Sequence, residues 1–281
     1  MATAFLFPGQ GSQTIGMGAE LFDQFPQRLA EADEILGYSL RSLCLEDPDG
    51  LLNNTQYTQP ALFVVDALSY DARGADQEVA FMAGHSLGEY AALYAGGVLD
   101  FASGVRLAKA RGELMARVTG GGMAAILGLA ADDIAAVIRV ANLATLDMAN
   151  FNTLGQTVIS GPAADIVAAE SAFKDAGAKR YVVLNVSGAF HSRYMKDPAE
   201  QFRVHLESTS FQAAVTPVIA NVTAQPYEAG QAIDNLCSQI HSPVRWTETI
   251  QSLIEQGVDS FEELGPGRVL AGTVKQIQRG R

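Results

Sequence analysis

The chain has 281 residues, a formal net charge of −12, and 48% apolar against 18% charged residues. This balance excludes intrinsic disorder, which requires low hydrophobicity and high charge, and the acidic charge argues against nucleic-acid binding. Two cysteines and four separated histidines provide neither a disulfide framework nor the spacing of a metal site. The sequence has no apolar run near the roughly 18 residues that span a bilayer, and no basic signal-peptide region, so we expect a cytoplasmic protein with no membrane partner.

Short apolar strands alternate with helical segments through the first 118 residues. Strands are predicted over 4–7 and 79–84, and helices over about 18–36, 59–70, from 88 onward, and 101–118. Asp100 is the expected N-cap of the last of these helices. Such alternation is typical of an α/β fold with a mostly parallel sheet.

The middle third has a different order of elements. Strands are predicted over 123–129, 146–150, 156–160 and 180–186, with helices over 132–140 and 162–176. This is the ferredoxin-like βαββαβ order. We therefore expect a small subdomain over 123–188, inserted into a large subdomain of 1–122 and 189–281. The large subdomain resumes with predicted strands at 216–220 and 261–264 and a helix at 244–256.

The strongest chemical signal is the G-x-S-x-G motif formed by residues 84–88. It lies between a predicted strand and a predicted helix, which is the context that a nucleophile elbow requires. The glycines permit a sharp turn, and the N-terminal amides of the following helix can stabilise an oxyanion. The motif predicts that Ser86 is a nucleophile.

A serine hydroxyl needs a general base within hydrogen-bond reach, and the chain has four histidines. His85 adjoins Ser86, so its side chain leaves the turn in another direction. His205 lies among polar residues on an exposed helix position, and His241 has no distinguishing context. His191 lies in a small-residue loop after the predicted insert and follows the serine in the chain, as in α/β-hydrolases. The spacing favours His191 as the base, with a structural or surface histidine as the alternative.

Arg111 lies on the apolar side of the predicted helix 101–118, where its neighbours are Leu107, Ala108, Leu114 and Met115. A cation in such a position is costly unless it meets an anion. Two interpretations are open: an internal ion pair with Asp or Glu, or a fork that binds a substrate carboxylate through two hydrogen bonds.

Seven motifs in order resemble the malonyl-CoA:acyl carrier protein transacylases, most closely the free-standing, trans-acting acyltransferases of polyketide synthases. The motifs lie at residues 7–13, 84–90, 111–115, 156–161, 188–192, 242–246 and 263–267. The resemblance implies an α/β-hydrolase-like core with a mostly parallel sheet, a ferredoxin-like insert, and an active site between the two.

The resemblance also implies a Ser-His dyad. Ser86 would be the nucleophile and His191 its base, oriented by a backbone carbonyl near Arg245 rather than by a carboxylate. The backbone amides of Gln10 and Leu87 would stabilise the oxyanion.

Further positions would bind substrate. Arg111 would bind the free carboxylate of the malonyl group, and Phe190 would fill the space that a C2 methyl group needs. Asn152 matches a polar residue near the pocket, and Arg245 is a further expected substrate-binding residue.

The implied substrates are malonyl-CoA and a holo acyl carrier protein or the carrier domains of a polyketide synthase, with no metal or other cofactor and with a monomeric enzyme. The alternatives are a thioester hydrolase of the same fold, the housekeeping transacylase of fatty acid synthesis, and a non-catalytic carrier-docking module. An acidic carrier would need a basic docking patch. The alternative is that the basic residues are scattered, solvated surface charges. The candidates are Lys174, Lys179, Arg180, Arg268, Lys275, Arg279 and Arg281.

Overall fold

A computed structural model describes residues 2–74 and 79–280 of the protein. Its strands are β1 (Ala2–Phe7), β2 (Val79–Gly84), β3 (Gly121–Leu127), β4 (Asp147–Thr153), β5 (Gln156–Pro162), β6 (Arg180–Val183), β7 (Val218–Ile219) and β8 (Val258–Glu263). Its helices are α1 (Ala19–Gln24), α2 (Pro26–Leu36), α3 (Leu40–Leu45), α4 (Thr55–Arg73), α5 (Gly88–Ala95), α6 (Phe101–Ala116), α7 (Ala131–Val140), α8 (Ala163–Ala168), α9 (Glu170–Asp175), α10 (Lys196–Glu207), α11 (Ala232–His241), α12 (Trp246–Glu255) and α13 (Val269–Arg279). Within these ranges, no helix combines the length and the apolar character needed to cross a membrane.

The first sheet has the order β7-β2-β1-β8, and all its strand pairs are parallel. Ala4 to Phe7 of β1 are buried because helices cover both faces of this sheet. Phe5 and Phe7 join the large core on one face, whereas Ala4 and Leu6 pack with Trp246 and its neighbours on the other. The predicted α/β fold with a parallel sheet is confirmed.

The second sheet has the order β4-β5-β3-β6, and all its strand pairs are antiparallel. With α7 before β4, and α8 and α9 before β6, it has the predicted βαββαβ order. Ile126 and Ile159 pack against these helices, whereas Met123 and Val158 belong to the large core. One face of the small sheet therefore contributes to the large hydrophobic core. The division of the chain at residues 122/123 and 188/189 stays a prediction.

Several element bounds differ from the sequence-based expectation. The helix predicted over 18–36 is two helices, because Phe25 precedes Pro26 and is held out of the helical region at φ −122° and ψ 57°. Pro26 then starts α2 at its first position. The helix predicted over 162–176 is likewise divided at Ala169, and β6 ends at Val183 rather than at residue 186. The helix predicted over 101–118 is observed over Phe101–Ala116, and its predicted N-cap at Asp100 is confirmed.

Two of the motif glycines allow α5 to lie directly on the ends of β1 and β2. A Cβ atom on Gly88 would lie 2.0 Å from the backbone oxygen of Phe7, and one on Gly84 would lie 2.0 Å from the backbone of Gly88. Since the obstructing atoms are backbone, a larger residue at either position must displace the helix from the sheet.

We expect Gly88→Ala to lower the free energy of unfolding by about 3 kcal/mol or more, because the added methyl group overpacks a backbone contact. Urea unfolding followed by circular dichroism measures this. The matched control is Gly272→Ala on the exposed side of α13, where an added Cβ atom meets nothing within 4 Å. The control should gain up to about 1 kcal/mol from helix propensity. Equal stabilities of the two variants would contradict the expected clash.

Candidate active site

Ser86 occupies the sharp turn between β2 and α5 with a φ of +54°, a conformation that non-glycine residues rarely adopt. Asn221, which follows β7, holds this turn from both sides. Its Oδ1 accepts from the Ser86 amide at 2.7 Å, and its Nδ2 donates to the Gly84 carbonyl at 2.7 Å. Strain of this kind persists where the surroundings over-determine it, as they do here. Sequence reasoning did not single out Asn221, although its position just after a predicted strand was a usable signal.

Ser86 and His191 lie in hydrogen-bond contact. The Oγ–Nε2 distance is 2.7 Å, and Nδ1 of the same imidazole lies 2.8 Å from the Gln239 carbonyl oxygen. A carbonyl can only accept, so Nδ1 carries the proton and Nε2 is the acceptor for the serine proton. Burial, and then the charge of Arg111, lower the pKa of His191 to about 3, which keeps the ring neutral. This geometry suits a serine nucleophile with its general base.

The expected location of the orienting carbonyl was wrong. It belongs to Gln239, because the last turns of α11 pass over His191. Arg245 instead pairs with Glu248 and donates to the carbonyls of Val222 and Thr223 at 3.2 Å.

The other three histidines lie away from the Ser86 hydroxyl. His85 makes a 2.8 Å hydrogen bond through Nε2 to Asn152 Oδ1, and its ring packs edge-on against Trp246. Burial lowers its pKa. His205 is exposed on α10, and His241 ends α11. Asn152 thus supports the residue beside the nucleophile.

The backbone amides of Gln10 and Leu87 belong to residues that border the cavity at Ser86. Within residues 2–74 and 79–280, neither amide donates to a protein acceptor. The loop that carries Gln10 touches the turn closely, since a Cβ atom on Gly9 would lie 2.3 Å from the His85 carbonyl oxygen. Two such amides can stabilise a tetrahedral oxyanion, and this role for Gln10 and Leu87 stays a prediction.

Arg111 is 1% exposed, and its hydrogen-bond partners are all uncharged. Its guanidinium donates to Gln59 Oε1 and Gln239 Oε1, both at 2.8 Å, and to Ser86 Oγ at 3.2 Å. Among the described residues it has no carboxylate within ion-pair distance, so the internal ion pair is not found. Its Nε has no hydrogen-bond partner there either. The result is a buried cation beside Ser86 with no carboxylate partner among the described residues.

These groups enclose a cavity of about 100 Å³. Among its lining residues are Ser86, His191, Arg111, Gln10, Leu87, Phe190, Gln59 and Asn150. Arg245 does not border this space, and Asn152 borders an adjoining cavity of about 200 Å³ that is also lined by Gln10 and His85.

The buried carboxyl group of Glu89 lies behind Ser86 and was missed by the sequence analysis. It accepts from the Gln239 Nε2 at 2.7 Å, from the Tyr227 hydroxyl, and from the backbone N–H of Asn221 at 3.3 Å. Burial raises its pKa to about 7. Its position in the first turn of α5, three residues after Ser86, was the only local signal.

The described ranges contain no group of three or more His, Cys, Asp or Glu residues that could hold a metal ion. Of the candidate docking cations, Lys174 pairs with Glu170 at 2.6 Å, and Arg281 lies outside the described residues. The docking role of this set stays a prediction.

The chain matches the acyl transferase domain family over residues 4–279. It is 51% identical over 276 residues to the polyketide biosynthesis protein ThaF of Burkholderia thailandensis, covering 98% of this chain but only 24% of ThaF, about a quarter of its length. It is 48% identical over 279 residues to the polyketide biosynthesis malonyl CoA-acyl carrier protein transacylase BaeC of Bacillus velezensis, covering 98% of this chain and 96% of BaeC. The crystal structure of malonyl CoA-acyl carrier protein transacylase from Burkholderia pseudomallei has a TM-score of 0.96 and 46% identity, covering 100% of this chain and 99% of that one.

The site geometry predicts a reactive serine. A fluorophosphonate probe should phosphonylate Ser86 Oγ with loss of fluoride, and His191→Ala should slow this labelling about 100-fold because the proton acceptor is lost. Mass spectrometry of the labelled peptide measures the rate. The matched control is His205→Ala, an exposed histidine on α10, which should label like the unaltered protein. Labelling that is independent of His191 would refute its assignment as base.

Proposed function

The chain belongs to the acyl transferase domain family, and on that premise we propose that it transfers a malonyl group from malonyl-CoA to the phosphopantetheine thiol of an acyl carrier protein. One observation carries the choice of substrate. Arg111 is a buried cation with only neutral partners, and its guanidinium lies 3.2 Å from the nucleophilic Ser86 oxygen. An acyl group attached to that oxygen and bearing a free carboxylate supplies the missing anion.

In the first half-reaction, His191 Nε2 takes the Ser86 proton as Oγ attacks the thioester carbonyl carbon of malonyl-CoA. The negative charge that develops on the carbonyl oxygen is stabilised by the Gln10 and Leu87 amides. The carbon–sulfur bond then breaks, and the imidazolium returns its proton to the departing coenzyme A thiolate. Malonyl-Ser86 remains, with its free carboxylate on Arg111.

In the second half-reaction, the carrier's phosphopantetheine thiol gives its proton to His191 and attacks the ester carbonyl carbon. The same two amides stabilise the oxyanion, the ester bond to Ser86 breaks, and His191 protonates the Ser86 oxygen. This is ping-pong covalent catalysis. In this proposal, the chain's own residues, malonyl-CoA and the carrier thiol carry every step, and the enzyme acts as a monomer.

Phe190 supports a preference for malonyl over methylmalonyl groups. Its side chain is 6% exposed and lines the cavity beside His191. A C2 methyl group would compete with the phenyl ring for this space. We assign Asn152 and Arg245 no contact with the malonyl group, because their side chains bind His85 and Glu248, respectively.

A role in polyketide synthesis is supported by the names of the relatives ThaF and BaeC, which both refer to polyketide biosynthesis. The proposed enzyme would act in trans on carrier domains. The rival, a thioester hydrolase, would use the same dyad, but it has no need of a buried cation reserved for a carboxylate.

The test is an assay of malonyl-CoA with and without a holo acyl carrier protein, following malonyl-carrier and free malonate by mass spectrometry. We expect malonyl-Ser86 with malonyl-CoA alone, and rapid transfer once the carrier is added, with little malonate. Free malonate as the main product with every carrier would support the hydrolase, and absence of any Ser86 adduct would overturn the proposal.

Arg111→Ala should lower kcat/KM for malonyl-CoA about 100-fold, since the substrate carboxylate loses a charged partner in a buried site. The ratio of malonyl-CoA to acetyl-CoA use should fall with it. The matched control is Arg106→Ala, an exposed arginine on the same helix, which should keep the ratio within about twofold. Undiminished malonyl transfer in Arg111→Ala would show that the guanidinium does not bind the substrate.

A further inference from the structure

Arg111 and Glu89 are both buried, and one side-chain amide connects them. Arg111 Nη2 donates to Gln239 Oε1 at 2.8 Å, and Gln239 Nε2 donates to Glu89 Oε2 at 2.7 Å. Gln239 Nε2 also donates to the Ser86 carbonyl oxygen at 2.8 Å. The amide of Gln239 therefore contacts the cation, the carboxylate and the backbone of the nucleophile.

The orientation of this amide is determined by its partners. A backbone carbonyl and an ionised carboxylate can only accept, so the NH₂ group of Gln239 must face Ser86 and Glu89. Its oxygen is then left to face Arg111. If Glu89 became protonated and presented a donor, it would no longer hold the NH₂ group of Gln239 in this orientation. The Gln239 oxygen would then be held less firmly as an acceptor for Arg111.

The separation of the two charges has a consequence for ligand binding. In a direct ion pair, the carboxylate would occupy the donors that an incoming anion needs. With one amide between them, Glu89 stabilises the buried cation by its charge while the guanidinium keeps its place beside Ser86 Oγ. Within the described ranges, Glu89 has no Lys, Arg or His within ion-pair distance, so Arg111, which acts on it through space, is its balancing cation.

We propose that Glu89 is a positioning residue for the selection of carboxylated acyl groups, holding Arg111 oriented through the amide of Gln239. This inference rests on the proposed function, because it concerns how the same site chooses malonyl over an uncharged acyl group.

The arrangement predicts a pH dependence of that choice. Burial raises the pKa of Glu89 to about 7, against the opposing effects of Tyr227, Gln239, the Asn221 amide and Arg111. The other titratable groups around it do not change charge near neutrality: burial raises the pKa values of Tyr227 and Tyr90, and that of His191 is lowered to about 3. The ionised, acceptor-only form of Glu89 is present above about pH 7, so malonyl selectivity should fall as the pH drops through that value.

The experiment compares unaltered protein with Glu89→Gln. The rate of Ser86 acylation is measured with malonyl-CoA and with acetyl-CoA between pH 5.5 and 8.5. At pH 8 the variant's malonyl-to-acetyl ratio of kcat/KM should be about tenfold lower, mainly through the malonyl-CoA KM. The unaltered protein's ratio should decline below pH 7, whereas the variant's ratio should be flat. The matched variant is Tyr227→Phe, which keeps the Glu89 carboxylate but removes a hydrogen bond that lowers its pKa. Its ratio should still depend on pH, with the decline at a higher pH than in the unaltered protein.

An equal loss for both acyl groups in Glu89→Gln would overturn the inference, because a merely structural residue would act that way. An unchanged ratio would overturn it too. If the variant does not fold, the unaltered protein still decides, since a malonyl-to-acetyl ratio that is flat from pH 5.5 to 8.5 contradicts the proposal. Failure of the unaltered protein to form malonyl-Ser86 at any pH would instead overturn the proposed function itself.

Discussion

A guanidinium buried without a direct counter-ion is the constraint around which the site is arranged. Removing the Arg111 charge from water is costly, and the cost must be offset within hydrogen-bond reach. Gln59 and Gln239 supply neutral acceptors, and the carboxyl group of Glu89 lies one amide further away. The same cation helps to lower the pKa of His191, so that the group poised to take the Ser86 proton is neutral. In the proposed function, ligand recognition and the protonation state of the base thus share one buried charge.

The parallel sheet explains how such distant residues meet. The carboxyl ends of parallel strands lie at one edge of a sheet, and side chains that follow them converge there. Gln10 follows β1, Ser86 follows β2, and Asn221 follows β7, three neighbouring strands of the sheet. The strand order, rather than any local sequence feature, brings the turn of Ser86 within reach of an asparagine 135 residues away.

The sequence predicted those parts of the site that carry a local pattern. Ser86 has a strand, two glycines and a helix around it, and Arg111 stands out on an apolar helix face. By contrast, Gln239 and Asn221 are ordinary polar residues, and their importance depends on contacts made across more than a hundred residues of chain. Helix α11 was not predicted, although Ala232, Leu236 and Ile240 repeat at the helical spacing on its buried side. Without α11, the carbonyl that orients His191 could not be placed.

Arg111 also illustrates why one pattern admits two interpretations. A cation on an apolar helix face is compatible both with a structural ion pair and with a ligand site. The pattern contains no information about which residues the fold places opposite the cation. The distinction lies in the chemistry of the partners. A carboxylate in direct contact would neutralise the cation within the protein. Amide oxygens accept hydrogen bonds from the guanidinium but do not neutralise its charge. A buried arginine surrounded by amides and adjacent to a reactive hydroxyl is therefore evidence for an anionic ligand, which no arrangement of residues along the chain alone could provide.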